Sequence, residues 1–124
     1  MTNLDRALSF FKSWETCDLD AVIEAASPGI FYHNIPMDPI TGRDGLRKFA
    51  EPFLQGATHC VWEIHHIAEN ASGAVLSERS DNFHMRTGNI ISVRVMGTLE
   101  FDQSGLITHW RDYFDLAEFQ SQMT

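Results

Sequence analysis

The feature that most constrains the fold is a change of hydrophobic period near Thr58. Before that residue, apolar side chains recur every three or four positions, as they do in helices packed against a core. After it, apolar and polar residues alternate, which is the period of half-buried strands. Short polar separators that contain glycine divide this part and predict hairpins. Four strands are predicted, over residues 58–69, 74–86, 89–101 and 106–114.

The part before Thr58 predicts three helices and one short strand. Helices are expected over 3–14 and 19–25, with Asp18 as the second N-cap and Pro28-Gly29 ending that run. The remaining elements are a strand over 30–34, a helix from about residue 42 whose last turn Pro52 should bend or shorten, and a final helix over 116–123.

This order of elements predicts one α+β domain over residues 1–124. Helices that precede an antiparallel meander are expected to pack on one face of the sheet. A mixed, mostly antiparallel sheet that curves into a cone would leave a deep pocket between its concave face and the N-terminal helices.

Charge and composition narrow the class of ligand. The net charge is −8 and the nine Lys and Arg residues are scattered, which argues against nucleic acid and against an anionic membrane surface. No apolar run reaches the roughly 18–20 residues that a spanning helix needs, and the N-terminus has no secretory pattern. Cys17 and Cys60 are expected to be free thiols, so we expect a cytoplasmic protein. The acidic charge balance favours a neutral small molecule as its ligand.

Strand parity sorts the side chains onto two faces. The third long strand places Val93 and Val95 on the apolar face, and the second strand places Phe83 there. In the fourth strand the apolar face carries Leu106, Trp110 and Phe114, with Asp112 between the two aromatic residues.

Polar groups interrupt these apolar faces in three strands. Arg79 and Asp81 share the face of Phe83, Asp112 lies on the face of Trp110, and Tyr32 and Asn34 share a face in the first strand. An unpaired carboxylate is costly to bury, so these groups need partners or a function. A structural ion-pair network and a catalytic site both remain open at this point.

The set would suit push–pull acid–base chemistry. One carboxyl can deprotonate a water while the other protonates a leaving oxygen, and a guanidinium between them can donate to both. The tyrosine hydroxyl and the asparagine amide could orient the water. An epoxide fits because ring strain already makes its carbon electrophilic.

Three segments together resemble the limonene-1,2-epoxide hydrolase family. They are Tyr32-His33-Asn34-Ile35-Pro36, Glu78-Arg79-Ser80-Asp81 and Trp110-Arg111-Asp112-Tyr113-Phe114-Asp115. The resemblance covers nearly the whole chain. It implies a fold shared with nuclear transport factor 2 and SnoaL-like proteins, a homodimer, and hydrolysis of a small hydrophobic epoxide without a cofactor.

The resemblance also implies a role for each polar residue. Asp112 resembles the base that acts on water, Asp81 the acid that protonates the epoxide oxygen, and Arg79 the bridge between them. Tyr32 and Asn34 resemble the residues that hold the water. The expected pocket residues are Phe83, Val93, Val95 and Phe114.

Other interpretations are kept as alternatives. The six histidines have no HxH or HxxxH spacing, so we expect no metal site. An isomerase or polyketide cyclase of the same fold would need a single base and no arginine-bridged second carboxyl. A non-catalytic binding module is the third possibility, because fold alone does not determine function.

Overall fold

A computed structural model describes residues 1–123 as a curved, open six-stranded sheet with four helices. The α+β prediction is confirmed. The elements are α1 Asn3–Glu15, α2 Leu19–Ala25, β1 Ala26–Ile35, β2 Ile40–Thr41, α3 Gly42–Gly56, β3 Ala57–Glu69, β4 Val75–Met85, β5 Ile90–Phe101, β6 Ile107–Phe114 and α4 Leu116–Gln120.

The strand order is β2-β1-β6-β5-β4-β3. The four long strands form the predicted meander, in which every neighbouring pair is antiparallel. β1 lies parallel to β6, and β2 is antiparallel to β1. The sheet is therefore mixed and mostly antiparallel, with its single parallel pair joining the N-terminal part of the chain to its last strand.

The helices begin and end close to the predicted positions. Thr2 and Asp5 form a capping box at α1, and the Asp18 side chain accepts a hydrogen bond from the backbone of Ala21 at α2. α1 contacts β3 and β4, whereas α3 contacts β1, β2 and β3. None of the helices in residues 1–123 is long and apolar enough to cross a membrane.

Several predicted boundaries were wrong. β1 begins at Ala26, so Pro28 and Gly29 lie inside the strand, where the β1–β6 register shifts between Ala26 and Phe31. Pro52 does not shorten α3, which continues to Gly56, and a bend of its last turn stays a prediction. β2 was not predicted because two residues carry no periodicity.

Two further corrections concern the C-terminal part. α4 ends at Gln120 instead of Met123; beyond it, the Gln122 amide bonds to both backbone groups of Ser92 at 2.8 Å. Ile107 rather than Leu106 takes the first buried position of β6. The register shift between Glu100 and Phe101 changes the parity there, and sequence alternation alone could not reveal it.

The alternation predicted along the strands is otherwise confirmed. Val75, Ser77, Arg79, Asp81 and Phe83 are buried in β4, while the residues that alternate with them are more exposed. The buried side of the sheet packs against Phe10, Phe11 and Trp14 of α1 and Leu46 of α3. This inner face carries the candidate site.

Candidate active site

A row of register partners brings the polar residues together across four strands. Ser77 on β4 pairs with Gly97 on β5, Gly97 pairs with Asp112 on β6, and Asp112 pairs with Asn34 on β1. Gly97 has no side chain, so nothing projects from the inner surface of β5 at the centre of this row. We infer that this lets Arg79 reach from β4 across β5 to Asp112.

Arg79 links the two carboxyl groups directly. Its Nε and Nη2 donate to Asp81 Oδ1 and Oδ2, each at 3.0 Å, which is the bidentate geometry of a strong ion pair. Nη2 also donates to Asp112 Oδ2 at 3.0 Å, and Nη1 donates to Ser77 Oγ at 2.9 Å. The guanidinium carbon lies 4.8 Å from the ring centroid of Phe11 and 5.0 Å from that of Trp62.

All three charged side chains are almost completely buried, with exposed fractions of 1% for Arg79 and 4% for each aspartate. Burial raises the pKa of Asp81 to about 6; the neighbouring Asp112 adds to this, while Arg79 opposes it. Burial would lower the pKa of Arg79, but the two carboxylates outweigh it and raise that pKa further. Asp81 can therefore carry a proton close to neutral pH while Arg79 stays charged.

Asp112 keeps one oxygen for another partner. Oδ2 accepts from Arg79, whereas Oδ1 is buried and has no hydrogen-bond partner within residues 1–123. A buried carboxylate oxygen without a donor is costly. Of the two Asp112 oxygens, Oδ1 is therefore the one best suited to accept a hydrogen bond or a proton from a small polar molecule.

Tyr32 and Asn34 form a pair beside Asp112. The Asn34 amide donates to the Tyr32 hydroxyl at 2.7 Å. Burial first, and the charge of Asp112 second, raise the pKa of Tyr32 well above its ordinary value, so its hydroxyl remains protonated. The ring of Tyr32 stacks on Trp110 at a centroid distance of 4.0 Å, which fixes its position.

These groups border an apolar cavity of about 230 Å³. Both aspartates, Tyr32 and Asn34 line it, as do all four pocket residues proposed from the sequence. Arg79 is not among the lining residues; it lies behind the carboxyl groups. The other lining residues are Trp14, Met37, Phe49, Phe53, Trp62, Trp110 and Phe119.

Several of these residues were missed by sequence reasoning. The helical spacing of Trp14 indicates a residue that packs α1 against the core, yet in the structure it both stacks on Trp62 and lines the cavity. Phe49 and Phe53 lie four positions apart, which indicates one face of a helix but not which face of the sheet that helix covers. Ser77 could have been found, because it shares the strand parity of Arg79 and Asp81.

The histidines lie apart from these carboxyl groups. None lines the cavity, and His59 stacks on His84 at 4.2 Å elsewhere on the sheet. Within the described part of the chain, no group of three or more His, Cys, Asp or Glu side chains is arranged to hold a metal ion. Cys17 and Cys60 are both free thiols, as predicted.

Comparison with known proteins gives the family. Residues 2–124 match the limonene-1,2-epoxide hydrolase catalytic domain. The chain is 30% identical over 110 residues to epoxide hydrolase EphG of Mycobacterium tuberculosis, covering 89% of this chain and 71% of that protein.

Solved structures agree with this assignment. An M. tuberculosis epoxide hydrolase described as limonene-1,2-epoxide hydrolase-like superposes with a TM-score of 0.80 at 28% identity, over 97% of this chain and 87% of the other. A putative SnoaL-like polyketide cyclase from Shewanella denitrificans gives 0.83 at 17% identity, over 98% and 96%, and shows the shared fold. This chain belongs to the limonene-1,2-epoxide hydrolase family.

Proposed function

We propose that this protein is an epoxide hydrolase that adds water to a small apolar epoxide in one step, without a cofactor or a covalent intermediate. The observation that carries the proposal is the Asp81–Arg79–Asp112 bridge, in which two buried carboxyl groups share one guanidinium at an apolar cavity. The raised pKa of Asp81 supports an acid–base pair rather than two equivalent anions.

In the proposed reaction, Asp112 accepts a proton from water as the water oxygen forms a bond to an epoxide carbon. The carbon–oxygen bond of the ring breaks, and Asp81 donates its proton to that oxygen. The product is a vicinal diol, and the two carboxyls have exchanged protonation states. A net transfer of one proton from Asp112 to Asp81, through solvent, restores the starting state.

The remaining residues position the reactants in this proposal. Arg79 keeps both carboxyl groups in place and stays charged throughout. Tyr32 and Asn34 hold the water beside Asp112, a role supported by the register pairing of Asn34 with Asp112 and by the protonated state of the tyrosine. Phe83, Val93, Val95 and Phe114 contribute to the apolar wall around the substrate.

A cyclase is the second candidate. The same acid–base pair could activate a hydroxyl of the substrate itself instead of water, and the fold likeness to a putative SnoaL-like polyketide cyclase favours this alternative. A cavity of about 230 Å³ is small for a polyketide, which favours hydrolysis of a smaller molecule.

Diol formation tests the proposal. Purified protein is incubated with limonene oxide, cyclohexene oxide and styrene oxide in the presence of a chelator, beside an Asp112→Asn variant. We expect diol from the unmodified protein and a loss of roughly 10³-fold or more in the variant, since the base is removed without a change of shape.

The two contrary outcomes have different meanings. Undiminished turnover in Asp112→Asn would remove the base from the mechanism. If no diol forms from any of the three epoxides, and Asp112→Asn binds these epoxides as tightly as the unmodified protein does, the protein would instead be a binding module.

A homodimer and a cytoplasmic location complete the proposal. The dimer is supported by apolar side chains on the outer face of the sheet, where Met96 and Tyr113 are neighbours in register and at least half exposed. The free state of Cys17 and Cys60 supports a reducing compartment.

A further inference from the structure

Part of the cavity wall is a cluster of five phenylalanine rings, which we call the phenylalanine collar: Phe49, Phe53, Phe83, Phe114 and Phe119. The Phe53 ring lies at its centre, with centroids 5.4 Å from Phe49, 5.6 Å from Phe83 and 6.1 Å from Phe119. Four separate elements supply these rings. All but Phe83 are only partly buried, so they retain surface that a ligand can cover.

The collar rings carry no polar atom, although they border the carboxyl groups of the cavity, because Phe83 and Phe114 follow Asp81 and Asp112 by two residues on the same strand faces. The lining contains no Lys, Arg or His from residues 1–123. A ligand portion enclosed by the collar rings would find no partner there for a polar group, and an unpaired buried polar group is unfavourable. The collar suits a hydrocarbon portion.

The volume of the cavity is sufficient for one ring in that portion. An apolar protein cavity of about 150 Å³ is known to accommodate benzene, and this cavity is about 230 Å³. The cavity therefore has room for one six-membered ring together with the three atoms of an oxirane and a short linker.

We propose that the substrate is a small monoaryl epoxide, with its aromatic ring in the phenylalanine collar and its oxirane at the Asp81–Asp112 pair. This inference rests on the proposed epoxide hydrolase activity. Aromatic pairs gain edge-to-face and offset-stacked attraction beyond the area they bury, and collar rings already meet one another at angles of 40° to 85°. A saturated ring of similar size would gain only the free energy of burying its apolar surface.

Two matched epoxides test the preference. Benzyloxirane and cyclohexylmethyloxirane differ only in whether the ring is aromatic, and in both a methylene separates the ring from the reacting carbons. We expect kcat/KM to be about tenfold higher for benzyloxirane. Hydrophobicity alone predicts the opposite order, because the saturated ring is the more hydrophobic.

Two variants test whether the phenylalanine collar causes the preference for the aromatic epoxide. Phe53→Leu removes the central ring of the collar and should reduce the ratio of the two kcat/KM values to about one. Phe31→Leu is the control, because Phe31 lies on the other face of β1 against His33 and His109 and does not line the cavity. In Phe31→Leu the ratio of the two kcat/KM values should match that of the unmodified protein.

The outcomes separate this inference from the activity on which it rests. Hydrolysis of both epoxides with equal or reversed kcat/KM would overturn the aryl preference and leave the hydrolase intact. Hydrolysis of neither would overturn the hydrolase for these substrates. Binding of the two corresponding diols, followed by fluorescence of the lining tryptophans Trp14, Trp62 and Trp110, then decides the ring preference by itself: equal or weaker binding of the phenyl diol overturns it.

Discussion

The two carboxyl groups of the site differ in the hydrogen bonds that they accept from Arg79. It donates two hydrogen bonds to Asp81 and one to Asp112, and Asp112 Oδ1 is left without a partner in residues 1–123. Burial nevertheless raises the pKa of Asp81, because one guanidinium cannot compensate fully for two buried carboxylates. The raised pKa of Asp81 and the unpartnered Oδ1 of Asp112 support Asp81 as the acid and Asp112 as the base.

The raised pKa of Asp81 predicts how activity depends on pH. As the acid, Asp81 must carry its proton in the free enzyme, so kcat/KM should be highest on the acid side of its pKa of about 6 and fall about tenfold per pH unit above it. Initial rates of diol formation between pH 5 and 8 measure this. The intrinsic tryptophan emission is recorded at each pH to verify that the protein remains folded.

A kcat/KM that stays constant from pH 5 to 8 would contradict the assignment of Asp81 as the acid. A decline above pH 6 that coincides with a change in tryptophan emission would be an effect on folding. It would give no support to the assignment.

At the scale of elements, the site depends on how closely β5 and β6 approach each other. A Cβ atom added to Gly97 would overlap Asp112 Oδ1 and lie 2.8 Å from the carbonyl oxygen of Arg111. The carboxylate of Asp112 therefore lies directly over the glycine, in space that any other residue would fill. We infer that Gly97 positions Asp112.

Replacing this glycine should damage both the sheet and the reaction. Gly97→Ala is expected to lower the free energy of unfolding by about 1–3 kcal/mol, the usual cost of overpacking, and to reduce kcat further by displacing the carboxylate from Arg79. Urea unfolding and diol formation measure the two effects. Gly29→Ala is the control, because a Cβ there meets no atom within 4 Å and little change is expected.

The position of Gly97 would be unimportant if Gly97→Ala kept full activity. If stability fell while kcat was retained, the glycine would serve the packing of β5 and β6 without orienting Asp112.

At the scale of the whole molecule, the sheet has two faces with different uses. The inner face carries the cavity, whereas the outer face exposes five large apolar side chains. These are Val61, Leu76, Ile90, Met96 and Tyr113, with exposed fractions between 42% and 59%. Met96 and Tyr113 are neighbours in register, and adjoining exposed apolar residues are typical of a protein interface.

A homodimer through this outer face is the expected assembly. Met96→Lys places a charge at its most exposed apolar residue, and like charges would meet across a two-fold axis. We expect the unmodified protein to sediment as a dimer and the variant to dissociate at least tenfold more readily. Leu8→Lys, on an exposed position of α1, should leave the dimer unchanged. An unmodified protein that sediments as a monomer would overturn this prediction.

Local patterns in the sequence determined the order of the elements and the face on which most side chains lie. Alternation placed Arg79, Asp81 and Asp112 on inner faces, because the side-chain period of a strand depends only on the backbone. The hairpin separators likewise placed the four long strands beside one another, since neighbouring strands joined by short loops must pair.

Only the tertiary structure decided which inner faces meet. The parallel pairing of β1 with β6 joins residues about 78 positions apart and brings Asn34 beside Asp112, and no local pattern specifies such a contact. The phenylalanine collar likewise combines rings from four elements, and Gln122 after α4 is hydrogen-bonded to Ser92 of β5, 30 residues earlier in the chain. The sequence determined which residues face inward, whereas long-range strand pairing determined their neighbours, because periodicity acts within an element and packing acts between elements.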